Sequence, residues 1–210
     1  MPNPFEGITD IQRNRLLKLL QVHTYNFSKN QEILPTIRKE NIISIMIKGS
    51  AQIINYDYEG NENIIENLYE NSIFGTNISA TNNENYEIIA KENTEIIVID
   101  YNKLLDLKNI KHEYFNVFIH NLFEIINIKY KETNEKIRIL EKKTIRDRLL
   151  EYFDILYKKT YTRNIYLPFS FKDLADYIAV NRSAMFREIR NLKNEKFIDT
   201  KGKRVTILYK

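Results

Sequence analysis

Hydrophobic and polar positions follow two different periods along the chain. Over residues 23–100, short runs of Ile, Val and Tyr alternate with turn residues, a pattern typical of β-strands. Glycines fall between these runs, at Gly49, Gly60 and Gly75, where turns are needed. Several short strands at regular spacing predict a small barrel or roll. An amphipathic pattern from Ile11 predicts a short helix before it.

A helical period replaces the strand pattern after residue 100. No Gly or Pro occurs over residues 114–140, and apolar residues recur there at steps of three and four, which predicts a helix of roughly seven turns. Such a long apolar stripe needs a partner, which is either a second copy of the chain, as in a coiled coil, or the roll of the same chain. We favour the second copy. The predicted homodimer interface consists of Phe115, Phe118, Ile119, Leu122 and Ile126.

The most specific pattern begins at Ser170. Ser170 and Asp173 have the spacing of a capping box at the start of a short helix. Asn181 is a suitable N-cap for a second helix, which extends to about Asn194. Two short helices joined by a tight turn form a helix-turn-helix. The following residues, KFIDTKGKRVTILYK, predict a hairpin that turns at Gly202 and would form a wing.

Charge indicates what this region binds. The balance of Lys and Arg against Asp and Glu is −6 over residues 1–100, +2 over 101–140 and +8 over 141–210. A basic last third suits phosphate binding, although a solvated basic face or a protein-binding winged helix is the alternative. Arginines in the first turns of a recognition helix can bond to guanine O6 and N7 in the major groove. The predicted DNA contacts are Ser170, Lys172, Asn181, Arg182, Ser183, Arg187, Arg190, Lys201, Lys203 and Arg204.

Composition excludes several other kinds of site. The chain has no Cys, so it has no disulfide and no Cys-ligated zinc or iron–sulfur centre. Its three His, at positions 23, 112 and 120, are too scattered for a cupin-like metal site, and no catalytic motif is visible. We therefore expect no catalytic residue, no metal and no enzyme. No apolar run approaches the ~18–20 residues of a membrane helix and no secretory signal is visible, so we expect a cytoplasmic protein without membrane contact.

Several stretches resemble the Crp/Fnr superfamily of bacterial transcription regulators. They are DLADYIAVNRSAMFREIRNL and KGKRVTIL near the C-terminus and KGSAQI, YEGNENI and the IFG turn in the roll. The resemblance covers nearly the whole chain. It implies an α+β fold with a β-roll like that of cyclic-nucleotide-binding domains as a sensor at 1–110, a dimerisation helix at 111–142 and a winged helix-turn-helix at 143–210.

The resemblance also implies a function. Family members are homodimers that bind a two-fold-symmetric operator in double-stranded DNA and respond to a signal bound in the roll. RNA polymerase and an unidentified small-molecule effector are further partners that it suggests. By the same resemblance, Arg182, Ser183 and Arg187 occupy the base-reading positions. The founding member has a Glu where this chain has Ser183, so we expect a different half-site.

The roll departs from the nucleotide binders of that family. They carry a Gly-Glu pair and an Arg at the cyclic phosphate, whereas Gly75 is followed here by Thr76 and Asn77. Residues 49–90 contain no Lys, Arg or His, and burying a phosphate diester without a cation has a large desolvation cost. We therefore predict that cyclic AMP does not bind in the usual way. The candidate effector-pocket residues are Gly75, Thr76, Asn77, Tyr86 and Thr133.

Other readings of the chain stay open. If the chain were a haem-sensing member of this family, it would need an axial ligand, for which His23, Met46 and the N-terminal amine at Pro2 are candidates. A relative that senses another small molecule would need no cofactor, which is our expectation. A cupin-like metalloenzyme and a protein-binding adaptor are alternatives from other classes.

Overall fold

The described part of the chain forms two compact units. The computed structural model describes residues 2–33, 41–56, 58–60, 62–75 and 86–209. The units are Met1–Ile128 and Lys129–Lys210, and each has its own apolar core. The boundary divides the predicted dimerisation segment, 111–142, between them. Among the described helices, none is long and apolar enough to span a bilayer.

The first unit contains most of the strands. Its elements are α1 (Asp10–Leu19), β1 (His23–Phe27), β2 (Ile42–Lys48), β3 (Ala51–Tyr56), β4 (Glu62–Leu68), β5 (Ile73–Phe74), β6 (Tyr86–Ala90), β7 (Thr94–Asp100), α2 (Tyr101–Leu104), a 3-10 helix (Leu107–Lys111) and the first half of α3 (Glu113–Leu140). Two antiparallel sheets result, ordered β1-β7-β2-β5 and β4-β3-β6. The predicted roll is confirmed.

Strand β2, whose sequence IISIMIK is almost continuously apolar, is buried on both faces. Successive side chains of a strand point to opposite faces. Ile42 and Met46 pack in a core shared with β3 and β6, while Ile43 and Ile45 pack on the other side with α1 and α3. A strand buried on both faces has no polar period.

Three residues that we predicted for the dimer interface lie in the core under this sheet instead. Phe115, Phe118 and Leu122 are between 0 and 4% exposed and pack against residues of the same unit. A side chain that its own unit buries leaves no surface for a second copy, so the prediction is wrong for these three. Ile119 and Ile126 are only partly buried. The early turns of α3 thus pack on the roll of the same chain, as the alternative interpretation held.

The second unit is the predicted winged helix-turn-helix. It contains the last turns of α3, then α4 (Ile145–Thr160), β8 (Asn164–Tyr166), α5 (Phe171–Tyr177), α6 (Arg182–Asn194), β9 (Ile198–Lys201) and β10 (Arg204–Ile207). The strands form an antiparallel sheet ordered β8-β10-β9. Its core includes Ile139, Leu149, Phe153, Ile165, Leu174, Met185, Leu192, Ile198 and Val205, all of them at most 1% exposed. Every element of the unit therefore contributes to one core.

Candidate nucleic-acid interface

Helix α5 begins with the predicted capping box. Ser170 Oγ accepts a hydrogen bond from Asp173 N at 3.2 Å and donates to Asp173 Oδ2 at 2.7 Å. Ser170 N donates to the same carboxylate at 3.2 Å. The hydrogen bonds from Ser170 hold the pKa of the Asp173 carboxyl below its ordinary value. The Ser170 hydroxyl is therefore engaged in the cap, whereas Lys172 in the same turn is exposed.

The turn between α5 and α6 is closed by backbone hydrogen bonds. Ala179 N donates to Asp176 O at 3.1 Å, and Val180 N donates to Ala175 O at 3.0 Å. Ala179 has a φ of 52°, a left-handed conformation that is costly for a residue with a Cβ. Ala175 is fully buried in the core of this unit. This tight turn fixes where α6 begins.

Helix α6 has one buried face and one exposed face. Met185, Ile189 and Leu192 lie in the core at steps of four and three. Asn181, at the N-cap, accepts a hydrogen bond from Ala184 N through Oδ1 at 3.1 Å, so its side chain serves the helix start. The opposite face is exposed and carries Arg182, Ser183, Phe186, Arg187 and Arg190.

The arginines of this face differ in their partners. Arg182 donates to Asp176 from Nη2 at 2.8 Å and from Nε at 3.3 Å. These hydrogen bonds raise the pKa of the Arg182 guanidinium above its ordinary value. Among the described residues, Arg187 and Arg190 form no ion pair. Their guanidinium groups are exposed to solvent, and no acidic side chain in the described part of the chain pairs with them.

The wing carries a row of side chains in which one member was not predicted. Strand β9 pairs Lys201 with Arg204, and β10 pairs Arg204 with Tyr166 of β8. Directly opposed residues share a face of the sheet. Tyr166 is 70% exposed in this row, and Lys203 is exposed at the turn after Gly202, which has a φ of 59°. The alternation in NIYL was the signal for β8 and thus for Tyr166.

A second unpredicted feature of the site is aromatic. Phe186 lies one turn into α6 and is 43% exposed. Its ring lies 6.3 Å from that of Phe171 in the first turn of α5. An apolar side chain between arginines on a recognition helix suits the methyl group of thymine. Its spacing of four residues from Arg182 is the signal that places Phe186 on this face.

The candidate effector residues of the roll are placed only in part. Gly75 is buried, and with its φ of 149° a Cβ there would lie 2.3 Å from the Ile42 carbonyl oxygen. This close approach explains why a glycine is needed at position 75 even without a bound ligand. Thr76 and Asn77 lie outside the described residues. Tyr86 is partly buried and packs on the core of the roll.

Thr133 belongs to the second unit, on an exposed face of α3. Its Oγ1 donates to Lys129 O at 2.9 Å. Gly75 and Tyr86 belong to the first unit. The effector pocket therefore stays a prediction.

The described part of the chain contains no group of three or more His, Cys, Asp or Glu that could hold a metal ion. His112 precedes α3 and stacks on Tyr114, with ring centroids 5.2 Å apart. His23 and Pro2 are exposed. Met46 is fully buried in the core of the roll, where packing accounts for it.

Comparisons with known proteins agree with this geometry. Residues 145–209 match the family model of the Crp-like helix-turn-helix domain. The structure of CprK complexed with OCPA is 16% identical with a TM-score of 0.63, covering 95% of this chain and 92% of that chain. A CooA mutant from Carboxydothermus hydrogenoformans is 18% identical with a TM-score of 0.58, covering 96% and 93%.

The Catabolite Activator Protein of Thermus thermophilus is 16% identical with a TM-score of 0.50, covering 97% of this chain and 92% of that chain. The comparison with curated proteins finds no match. Residues 145–209 form a Crp-like helix-turn-helix domain, and the chain as a whole shares its fold with CprK and CooA. The predicted resemblance and fold class are confirmed.

Proposed function

We propose that this protein is a transcription regulator that binds a two-fold-symmetric DNA operator as a homodimer, with α6 in the major groove. The observation that carries the proposal is the exposed face of α6. There Ser183 and Arg187 project from the first two turns of a helix whose other face is fixed in the core. This is the arrangement with which a recognition helix reads base edges.

Arg187 is the main base reader in this proposal. Its guanidinium has no acidic partner among the described residues, so it can turn two N–H groups toward O6 and N7 of one guanine. Arg182 starts from an exposed pair with Asp176, and solvent screening makes such exposed pairs weak. A guanine or phosphate can therefore replace Asp176 at little cost. Ser183 has a short side chain that both donates and accepts, so it selects weakly.

The wing and the start of α5 bind the phosphates. Lys201, Lys203 and Arg204 lie on or beside one face of the wing, together with Tyr166. Lys172 is exposed in the first turn of α5. Phosphate contacts orient a protein on the duplex without reading sequence. We expect them to make the affinity fall steeply as salt increases.

The dimer forms along a seam of α3, which we define as Ile119, Phe123, Ile126, Tyr130 and Ile137. Its members follow one another at steps of four, three, four and seven, the heptad spacing of a coiled coil. Phe123, Tyr130 and Ile137 are 62%, 66% and 48% exposed. Thr133 occupies the heptad position between the last two. Two of the five residues that the sequence predicted for the interface, Ile119 and Ile126, remain in this proposal.

The signal that controls the dimer is something other than a cyclic nucleotide. Residues 49–90 carry no cation that could neutralise a buried cyclic phosphate. We propose a regulator that acts in the cytoplasm without a catalytic residue and takes a small organic effector or none. Isothermal titration with cyclic AMP at millimolar concentration should give no binding heat, and micromolar affinity would overturn this part of the proposal.

Selection of bound duplexes from a random pool tests the function as a whole. We expect enrichment of a sequence with two inverted half-sites, each containing a guanine that Arg187 contacts. The same selection with Arg187→Ala should relax the preference at that base. An unchanged pool after repeated rounds at low salt would refute the proposal.

A further inference from the structure

One arginine that the DNA-reading face does not use holds four backbone carbonyls. Arg148, in the first turn of α4, donates from Nε to Lys142 O at 2.9 Å and from Nη2 to Leu140 O at 3.2 Å. Its Nη1 donates to Ile178 O and to Ala179 O, each at 3.0 Å. The side chain is partly buried. A planar guanidinium is suited to several fixed acceptors in this way.

These four carbonyls belong to the ends of two different helices. Leu140 is the last residue of α3, and Lys142 lies two residues beyond it. Ile178 is the C-cap of α5, and Ala179 is the left-handed residue of the turn into α6. The last carbonyls of a helix lack partners within it and carry the negative end of the helix dipole. One cation therefore satisfies both ends at once.

The other described ion pairs at the end of α3 connect it to α4 and not to the turn before α6. Glu135 pairs with Lys159 at 2.6 Å, and Arg138 and Lys142 pair with Glu151, so all of these contacts end on α4. Lys136 Nζ lies 5.5 Å above the ring of Tyr177 at the end of α5. That contact is long and joins an exposed lysine to an aromatic face. Arg148 joins the end of α3 to the turn that sets the start of α6 through short hydrogen bonds.

We infer that Arg148 is a positioning residue that fixes the direction of α6 relative to the end of α3, and thereby the half-site spacing that the dimer accepts. The inference rests on the proposed function, because spacing has meaning only for a dimer on DNA. In such a dimer the α3 seam holds the two copies together. The angle at which each α6 leaves that seam then sets the distance between the two recognition helices. Without Arg148, this angle has fewer constraints.

The test compares binding to operators whose central spacer is correct or altered by one or two base pairs. Full-length wild type and Arg148→Gln are titrated against each duplex and against a single half-site. We expect the preference of the variant for the correct spacer to fall about fivefold or more, as for loss of a coupling contact. Affinity for the single half-site should change by less than about twofold, since no residue of the α6 face is altered.

Arg146→Gln is the matched control. Arg146 also lies in the first turn of α4 and makes strong contacts, to Glu195 and Glu188 and over the ring of Phe197 at 4.9 Å. None of these partners belongs to α3. Its removal should lower the thermal midpoint, as that of Arg148 should, and leave the spacing preference unchanged. Equal relaxation in both variants would overturn the inference, because it would reflect general loosening of the unit.

Two further outcomes are informative. If Arg148→Gln does not fold, Arg148→Lys decides, because lysine keeps the charge but cannot reach both pairs of carbonyls. Retained spacing selectivity in that folded variant, or in Arg148→Gln, contradicts the inference while leaving the proposed function intact. Wild-type protein that prefers no duplex refutes the proposed function itself, and the positioning role with it.

Discussion

The two ends of the chain differ in how they use charge. Residues 1–100 carry a balance of −6, and the inner core of the roll consists of apolar side chains such as Phe27, Ile53 and Phe74. Residues 141–210 carry a balance of +8, with Arg187 exposed and unpaired among the described residues of the second unit. We therefore expect substitutions in the two units to act differently. Charge substitutions in the second unit should change DNA binding directly, whereas substitutions in the first unit should change it through core packing or dimer assembly.

The largest effect should come from the seam of α3. If the proposed seam holds the two copies together, Phe123→Asp places a charge in it, so the dimer should dissociate and operator affinity should fall about 100-fold or more, because two linked half-site contacts become independent. Sedimentation and titration of the operator measure both losses. Phe123→Leu, which keeps an apolar side chain, should retain the dimer. A dimer that survives Phe123→Asp would show that the seam lies elsewhere.

The next effect separates base reading from phosphate binding within the second unit. Arg187→Ala should cost roughly 1–3 kcal/mol of specific binding, because a bidentate contact to guanine is lost. Lys203→Ala should weaken specific and random DNA about equally and reduce the salt dependence. Fluorescence anisotropy on both duplexes measures the difference. Equal losses on the two duplexes for Arg187→Ala would remove its role as a base reader.

The sequence predicted features with local signals better than features that depend on tertiary packing. The caps at Ser170 and Asn181 are local signals, so the sequence predicted where both helices of the helix-turn-helix begin. The partner of α3 was not predictable in the same way. Its helix has apolar residues on more than one face, and only the packed sheet decides that Phe118 turns inward while Phe123 stays exposed.

Contacts between distant residues were missed for the same reason. Arg148 bonds to a carbonyl 31 residues away at Ala179. Tyr166 joins the wing only because β8 pairs with β10. The alternation in NIYL indicates a strand but not which strand it pairs with, and no periodic pattern marks the carbonyls that Arg148 contacts. Both pairings depend on how the elements close around a common core.

A smaller effect concerns the acid stability of the second unit. Ser170→Ala should lower the free energy of unfolding by about 1 kcal/mol at neutral pH, as for loss of an N-cap. The pKa of Asp173 is depressed in the folded state from an ordinary value of 3.8. Its stabilising contribution is therefore present above that value and lost as pH falls through the folded pKa. Thermal melts from pH 7 to pH 3 should show a weaker decline in Ser170→Ala than in wild type; parallel curves would argue against the cap as the cause.

The smallest effect should be a gain. Ala179 has a positive φ, and Gly adopts that conformation without strain from a Cβ. The greater freedom of Gly in the unfolded chain offsets part of the benefit. Ala179→Gly should therefore raise the free energy of unfolding by a few tenths to about 1 kcal/mol. Denaturant titration measures it, and a destabilised variant would show that the turn is not strained at this position.

A cycle that combines protein and DNA substitutions tests the central account most directly. Guanine at the selected position is replaced by 7-deazaguanine, which lacks the N7 acceptor, and binding is measured for wild type and Arg187→Ala. If Arg187 reads that edge, the DNA change should weaken wild type by about 1 kcal/mol or more and leave Arg187→Ala nearly unaffected. Equal losses for both proteins would contradict the assignment of Arg187 as the residue that reads this guanine.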